Sequence, residues 1–519
     1  MPRFSIITPV YNPPHQAFES CVRSVLRQTN PDWEWCLADD ASPDPWIAGR
    51  LAKLQRTDRR IRVITRPTNG GIVAASNDAL AMASGDFLVL LDNDDELHSE
   101  TLQLVSEALV AEPECDYLYS DENKISPAGE QYDDFAKPTW SPERLLAQNY
   151  TSHLSVLRRS LVEHVGRFRT GFDGSQDYDL VLRVIEHARK VVQIPRVLYH
   201  WRSLPSSTAS GASAKPYAFI AALKAVEEHL HRTDTPAEVT EAGPSLAKVH
   251  RTSRIHPMVT VIIPVDDSKK RIFGVGTPLS LNVVRSLIDK STYTNYTAIL
   301  VANETLGDQR VEELTRLFHG RARVIRAQNS GLAHMLNIGL TTCETKHAVL
   351  LDQHCEIIDG NWIETLLGYI NRSRVAAVAP LLLDEFGITM SGGIGWTPEP
   401  HNIAAGHHPS ELGPFGMFAI AREALGVSMR CALVDVAAVK SVGGFSPDYS
   451  TRVMDFDLAY KLHRAGLHTI ITPVVRMRCH DDPSRERAER DLLAMRWSHT
   501  YGSDPYTRID TRLHLPVSS

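Results

Sequence analysis

The stretch "SGDFLVLLDNDDEL", residues 84–97, decides how the rest of the chain is read. Phe87 to Leu91 is a short aliphatic run bounded by Gly85 and polar residues, the pattern of a buried strand. It runs straight into Asp92, Asn93, Asp94, Asp95 and Glu96, four carboxylates in five residues. Like charges this close repel, and each is costly to bury without a partner. The D-x-D spacing of Asp92 and Asp94 puts two side chains on one side of an extended backbone. A divalent cation, Mg²⁺ or Mn²⁺, takes oxygen ligands of this kind and completes its shell with phosphate oxygens and water. Taken alone, the motif also fits a solvated acidic turn, which is common after strands.

Upstream, strand and helix patterns alternate. "FSIITPV" reads as a strand, "QAFESCVRSVLRQT" as an amphipathic helix and "WEWCLADD" as a strand. A polar helix near Trp46 to Arg56, the strand "IRVITRP" and the helix "GIVAASNDALAMAS" follow. Such alternation predicts βαβ units and a mostly parallel sheet flanked by helices, with ligands bound beyond the carboxyl ends of the strands. Two strands end there in acids, Asp39-Asp40 and Asp92-Asn93-Asp94.

The chain then repeats itself. "FSIITPV" returns as "VTVIIPV", "RPTNGGI" as "RAQNSGL", "FLVLLDNDDEL" as "HAVLLDQHCEI" and "SQDYDLVLRV" as "VMDFDLAYKL". Arg326 follows Arg66 at the same distance as Asp352 follows Asp92, the mark of an internal duplication. The expected architecture is two α/β domains in tandem, residues 1–230 and 255–519, joined by a polar linker over 231–254.

Composition narrows the class. At 519 residues, 43% hydrophobic and 23% charged, the chain has material for two or three soluble domains. A net charge of −7 argues against a nucleic-acid partner. Seven cysteines without a CxxC pair point to reduced thiols and a cytoplasmic setting. The opening "MPRFSIITPVYNPP" is too briefly apolar for a signal peptide, and no run approaches the ~20 apolar residues of a membrane span. At most the protein sits on a membrane surface. A dinucleotide-dependent oxidoreductase shares the alternation but needs G-x-G-x-x-G after the first strand, where this chain has "TPVYNPP".

"PVYN", "ADDAS", "NGGIVAASN" and "LLDNDDEL", in this order and spacing, resemble the family 2 glycosyltransferases, which have the GT-A fold. "YSDENKI", "FAKPTWSPERLLAQNYTSHL", "GRFRTGFDGSQDYDLVLRV" and "IPRVLYHWR" look like the bacterial members that build O-antigens and other surface polysaccharides. The resemblance runs from Phe4 to about Arg202 and is fainter in the second half. It implies an inverting, metal-dependent transferase using a nucleotide-diphospho-sugar donor. The implied acceptor is a growing glycan on a lipid carrier, which would place the enzyme at the inner face of the cytoplasmic membrane.

The resemblance also implies roles. Asp40, with Asp39 beside it, matches the acid that bonds the donor base; a helix cap at "DDAS" is the structural alternative. Gly70 and Gly71 would let the backbone approach the nucleotide, or simply form a turn into a helix. Asp94 matches the direct metal ligand, with Asp92 nearer the ribose or a metal-bound water. Asp177 matches the catalytic base, although Gln176 stands where many relatives have Glu; the alternative is a helix-start acid, the part assigned to Asp179. His200 is read either as a metal or diphosphate contact or as structural, and Arg202 as a complement to phosphate charge. "YSDENK", Tyr119 to Lys124, is either a substrate contact or an exposed turn. In the second half the acids are altered: Asp352-Gln353-His354 replaces the D-x-D, and Ala302-Asn303 replaces Asp39-Asp40. Asp455, Asp457 and His480 persist. A silent second domain is expected, with a bifunctional polymerase or a non-catalytic glycan-binding protein as rivals.

Overall fold

The computed structural model describes residues 3–203, 216–272, 274–328, 331–397, 399–480, 487–497 and 504–508. Part of the "RAQNSGL" repeat, Asn329 and Ser330, lies outside them. The chain forms two compact units, Met1–Trp140 with Gln148–Thr235, and Ser141–Ala147 with Pro236–Ser519.

The first unit opens with β1 (Phe4–Val10), α1 (His15–Leu26), β2 (Trp33–Asp39), α2 (Pro45–Thr57), β3 (Ile61–Thr65) and α3 (Gly71–Met82). Then come β4 (Phe87–Leu90), β5 (Glu96–Leu97), α4 (Thr101–Ala111), β6 (Cys115–Ile125) and β7 (Gln131–Phe135). Helix α5 (Pro142–Ala147) belongs to the second unit. The first unit resumes with β8 (Ser155–Arg158), α6 (Arg159–His164), α7 (Gln176–Ile185), β9 (Lys190–Arg202) and α8 (Pro216–Arg232).

These elements form where local chemistry asks for them. β1 and β2 are buried almost throughout, as strands covered on both faces must be. α1 buries Phe18, Cys21, Val22 and Val25 on one helical stripe. α2 begins at Asp44, whose side chain accepts the Trp46 N–H at 2.9 Å, with Pro45 at the first helical position. The sheet order is β3-β2-β1-β4-β8-β6-β9-β5, with β7 on the edge of β6. β1 to β4 run parallel, and β8 lies antiparallel between β4 and β6.

The second unit repeats this plan. Its sheet runs Ala322–Arg326, Tyr296–Ala302, Val259–Val265, His347–Leu351, Cys431–Asp435, Val375–Leu383, His468–Cys479 and Cys355–Ile357. Order and strand directions match the first unit position by position. The tandem α/β architecture read from the repeat is therefore the fold. The stretch expected as a linker carries regular structure: the end of α8, then a hairpin of Ala237–Gly243 and Leu246–Arg251. That hairpin is bound into the second unit, where Tyr369 Oη donates to the Val249 carbonyl at 2.6 Å. All seven cysteines are buried and free.

Candidate active site

β4 ends at Leu90, so the acids 92–95 form the connection to β5 at the carboxyl end of the parallel strands. Asn93 Nδ2 ties this turn to the end of β1 by donating to the Pro9 carbonyl at 2.9 Å. β9 ties its other side: the Asp92 N–H donates to Tyr199 Oη at 3.3 Å, and Tyr199 Oη donates to Asp95 Oδ2 at 2.6 Å. The Arg202 N–H donates to Asp95 Oδ1 at 2.7 Å. Burial and mutual repulsion both favour the protonated form of these acids. Burial, then the Asp92 charge, pushes the Asp94 carboxyl up to about 6. Asp95, fully buried, is held well above the usual carboxylate range by burial and by Asp94 and Asp92.

The antiparallel strand β8 brings a further group to this spot. His153, just before it, stacks on the Tyr199 ring at 4.5 Å and lies 5.5 Å from Trp201. Asp92, Asp95 and His153 each offer one ligand atom, and these atoms lie within 4.8 Å of one another. Among the described residues this is the one group of such donors compact enough to hold a metal ion. The sequence had singled out Asp92, Asp94 and His200; His153 was quoted in "NYTSHL" but given no role. His200 is not part of this group: its Nδ1 lies 2.7 Å from Asn123 Oδ1, and burial lowers its pKa.

Asp177 lies in the first turn of α7 and comes close enough to the acidic turn to feel it. Burial raises its pKa, the His153 charge lowers it, and Asp92 raises it. Asn149 Nδ2 donates to Asp177 Oδ2 at 3.2 Å. Asp179 is fully buried and ion-paired with Arg183 at 2.6 Å and with Arg169, the structural part expected of it.

Other sequence-predicted residues have internal work. Asp40 accepts the N–H groups of Gly70 and Gly71, both at 2.8 Å, and its Oδ1 is 2.9 Å from Arg66 Nε. It thus anchors the loop into α3. Asp39 accepts the Ser42 N–H at 3.0 Å through Oδ1, and its other oxygen has no partner among the described residues. Gly71 has φ +81°, a conformation that favours glycine, and a Cβ on Gly70 would strike the Arg66 guanidinium. Arg202, expected to face phosphate, is 4% exposed and spent on protein groups: the Asp94 carbonyl at 2.8 Å, the Ser126 carbonyl at 3.2 Å, and Glu96. "YSDENK" is neither exposed nor a turn. It is the buried end of β6, where Glu122 meets the fully buried Lys137 at 2.9 Å.

The second unit fills the same place differently. Asp352 is ion-paired with Arg452, and its Oδ1 is 2.6 Å from His354 Nδ1. Arg452 NH1 also lies 3.8 Å from Asp455 Oδ1. Gln353 Nε2 donates to Asp266 Oδ1 at 2.6 Å, and His480 Nε2 is 3.1 Å from Glu356. Asp457 is buried against Lys461 at 2.6 Å.

Fold and site together define a duplicated α/β protein whose first copy gathers carboxylates and an imidazole at the carboxyl end of its sheet. The description "Glycosyl transferase family 2" matches residues 5–166 and again 280–441, together more than half of the chain. The chain belongs to glycosyl transferase family 2, and its two units are tandem GT-A domains. An uncharacterized protein, y4gI of Sinorhizobium fredii, is 32% identical over 97% of this chain and 57% of its own length. The O-antigen biosynthesis protein RfbC of Myxococcus xanthus is 30% identical over 93% of this chain and 38% of its own. The chain thus spans little more than half of one of these relatives and well under half of the other. Residues 1–349 of S. aureus TarS, solved with UDP-GlcNAc, superpose with a TM-score of 0.36 at 20% identity, covering 44% of this chain and 66% of that one. Among the described residues, no helix is long and apolar enough to cross a membrane.

Proposed function

We propose that the first unit is an inverting, metal-dependent glycosyltransferase that moves a sugar from a nucleotide-diphospho-sugar to a glycan acceptor in surface-polysaccharide synthesis. The observation that carries this reading is the convergence of Asp92, Asp95 and His153 at the carboxyl end of the sheet, with Asp177 alongside. The donor set fits a divalent cation: two carboxylates and one imidazole suit Mn²⁺ better than the all-oxygen preference of Mg²⁺. Asp92, Asp95 and His153 would hold it, with Asp94 adding charge from the same turn. The bound cation would offset charge on the diphosphate leaving group.

The remaining work falls to the chain's own residues. Asp177 takes the proton of the acceptor hydroxyl; its raised pKa makes it a better proton acceptor than an exposed carboxylate. The acceptor oxygen bonds to the anomeric carbon as the bond to the diphosphate breaks on the opposite face. Asn149 orients the base through its 3.2 Å hydrogen bond. Asp39 has an oxygen to spare for the donor base, while Asp40, Gly70 and Gly71 shape the loop beneath it. Arg202 and Tyr199 brace the acidic turn rather than touch phosphate. The second unit carries no donor site, because Arg452 sits on Asp352, the counterpart of Asp92. The acceptor is taken to be lipid-linked, so the protein works at the inner face of the cytoplasmic membrane.

The test is hydrolysis and transfer with a panel of UDP-, GDP- and dTDP-sugars, with Mn²⁺, with Mg²⁺ and with chelator. At least one donor should turn over with Mn²⁺, less with Mg²⁺, and not with chelator. Equal turnover in chelator would overturn the metal assignment, and retention of anomeric configuration in the product would overturn inversion.

A further inference from the structure

The second unit holds a cavity of about 500 Å³ that the donor chemistry does not explain. It is lined by residues of the strands Thr389–Ser391 and Pro400–Asn402 and by the start of the helix Val453–Arg464. Its size falls in the range of roughly 300–1,000 Å³ typical of small-molecule sites. Asp455, the counterpart of the proposed base Asp177, is part of its wall. The cavity therefore lies beside the counterpart of the proposed base, and Arg452, ion-paired with Asp352, forms part of the same wall.

The lining has a distinct chemistry. Three polar side chains, Lys270, Glu385 and Asn402, face it with no protein partner among the described residues. Charges on the wall balance: Lys270, Arg430 and Arg452 stand against Asp384, Glu385 and Asp455. A nucleoside diphosphate needs net positive charge or a cation to bind, and this wall offers neither. Hydroxyl groups, which both donate and accept, suit a neutral mix of amide, ammonium and carboxylate. Phe386, 83% exposed, also borders the cavity and presents a flat ring of the kind on which the C–H face of a pyranose packs.

We infer that the cavity of the second unit is a binding site for a neutral oligosaccharide, held without metal or nucleotide. This goes beyond transfer by the first unit, because it is read as binding and not as turnover. The test places the full chain on an array of neutral and acidic oligosaccharides, with calorimetry on the best neutral ligand. Neutral oligosaccharides should be retained, in chelator as in Mn²⁺. Phe386→Ala and Asn402→Ala should each weaken binding by about tenfold or more, the loss expected for an anchoring side chain. The Phe386 ring is mostly in solvent, so its truncation leaves packing intact. Asp94→Asn and Asp177→Asn should leave this binding unchanged even where transfer is abolished, which separates the two readings. Retention of no neutral oligosaccharide, or binding unmoved by both second-unit variants, would overturn the inference. So would competition by UDP with Mn²⁺.

Discussion

Replacing Asp94 by asparagine should stabilise the cation-free protein while removing its activity. Burial and the Asp92 charge move the Asp94 carboxyl from the usual 3.8 to about 6. That displacement corresponds to about 3 kcal/mol of ionisation penalty in the folded state. The sign follows from linkage. A carboxyl raised on folding favours the folded state below about pH 3.8, where it is protonated in both states, and this contribution is lost as pH rises through about 6. Above that the folded protein bears the whole penalty. Asp92 shares the repulsion and asparagine leaves an amide to solvate, so the variant should recover a part, about 1–2 kcal/mol at about pH 8. Urea unfolding in chelator, followed by circular dichroism and tryptophan fluorescence, measures it. The gain should fall to about a third as pH drops to about 4.5 and vanish below about 3.8, and saturating Mn²⁺ should stabilise wild type more than the variant. A variant less stable than wild type at about pH 8, or equally displaced at both pH values, would refute the crowding argument. Mn²⁺ affinity unchanged by the substitution would separate Asp94 from the cation site.

Asp177→Asn should retain donor binding and lose about 10² to 10⁴ in transfer rate, read by single-turnover assay on the acceptor. Its raised pKa predicts that wild-type transfer climbs with pH across that ionisation, a limb the variant should lack. Tyr199→Phe removes the hydroxyl shared by Asp95 and the Asp92 N–H, and should cost about 1–3 kcal/mol in chelator and weaken Mn²⁺ binding in calorimetry. Arg452→Met removes the guanidinium ion-paired with the buried Asp352 and should destabilise the second unit by about 3–5 kcal/mol. Adding Asp352→Leu should restore much of that loss, and thermal unfolding of the pair reads the difference.

The parallel part of the fold was legible because strands such as β2 and β4 are short apolar runs ended by acids, and because the second copy repeats the first. The acids at the strand ends were legible for the same reason. His153 was not: it stands in a polar loop, and only the insertion of β8 between β4 and β6 carries it to Asp92. Arg202 was read from the family motif and its charge, whereas its partners lie more than a hundred residues away in the turn that it braces. "DENK" does not look like a strand, because its polar atoms are buried against partners distant in sequence, among them Lys137, Ser152 and His200. The polar stretch 231–254 has little apolar signal, yet it pairs with itself as a hairpin.

Comparison of the two copies shows what the acidic turn requires. Both keep an aspartate at the end of the fourth sheet strand, Asp92 and Asp352, and both keep one in the first turn of the following long helix, Asp177 and Asp455. Three residues before that helical aspartate the first copy has Gly174 and the second has Arg452. Glycine contributes no charge, so in the first copy the carboxylates keep a raised affinity for protons, and in the proposed reading a bound cation takes the place of those protons. Arginine supplies the positive charge from within the chain, on Asp352 and facing Asp455, and it cannot dissociate. The fold is the same in both because the strands beneath do not depend on how the charge is met. What differs is the counter-charge: in the second copy a guanidinium is ion-paired with Asp352, and the cavity beside Asp455 lies next to that pair.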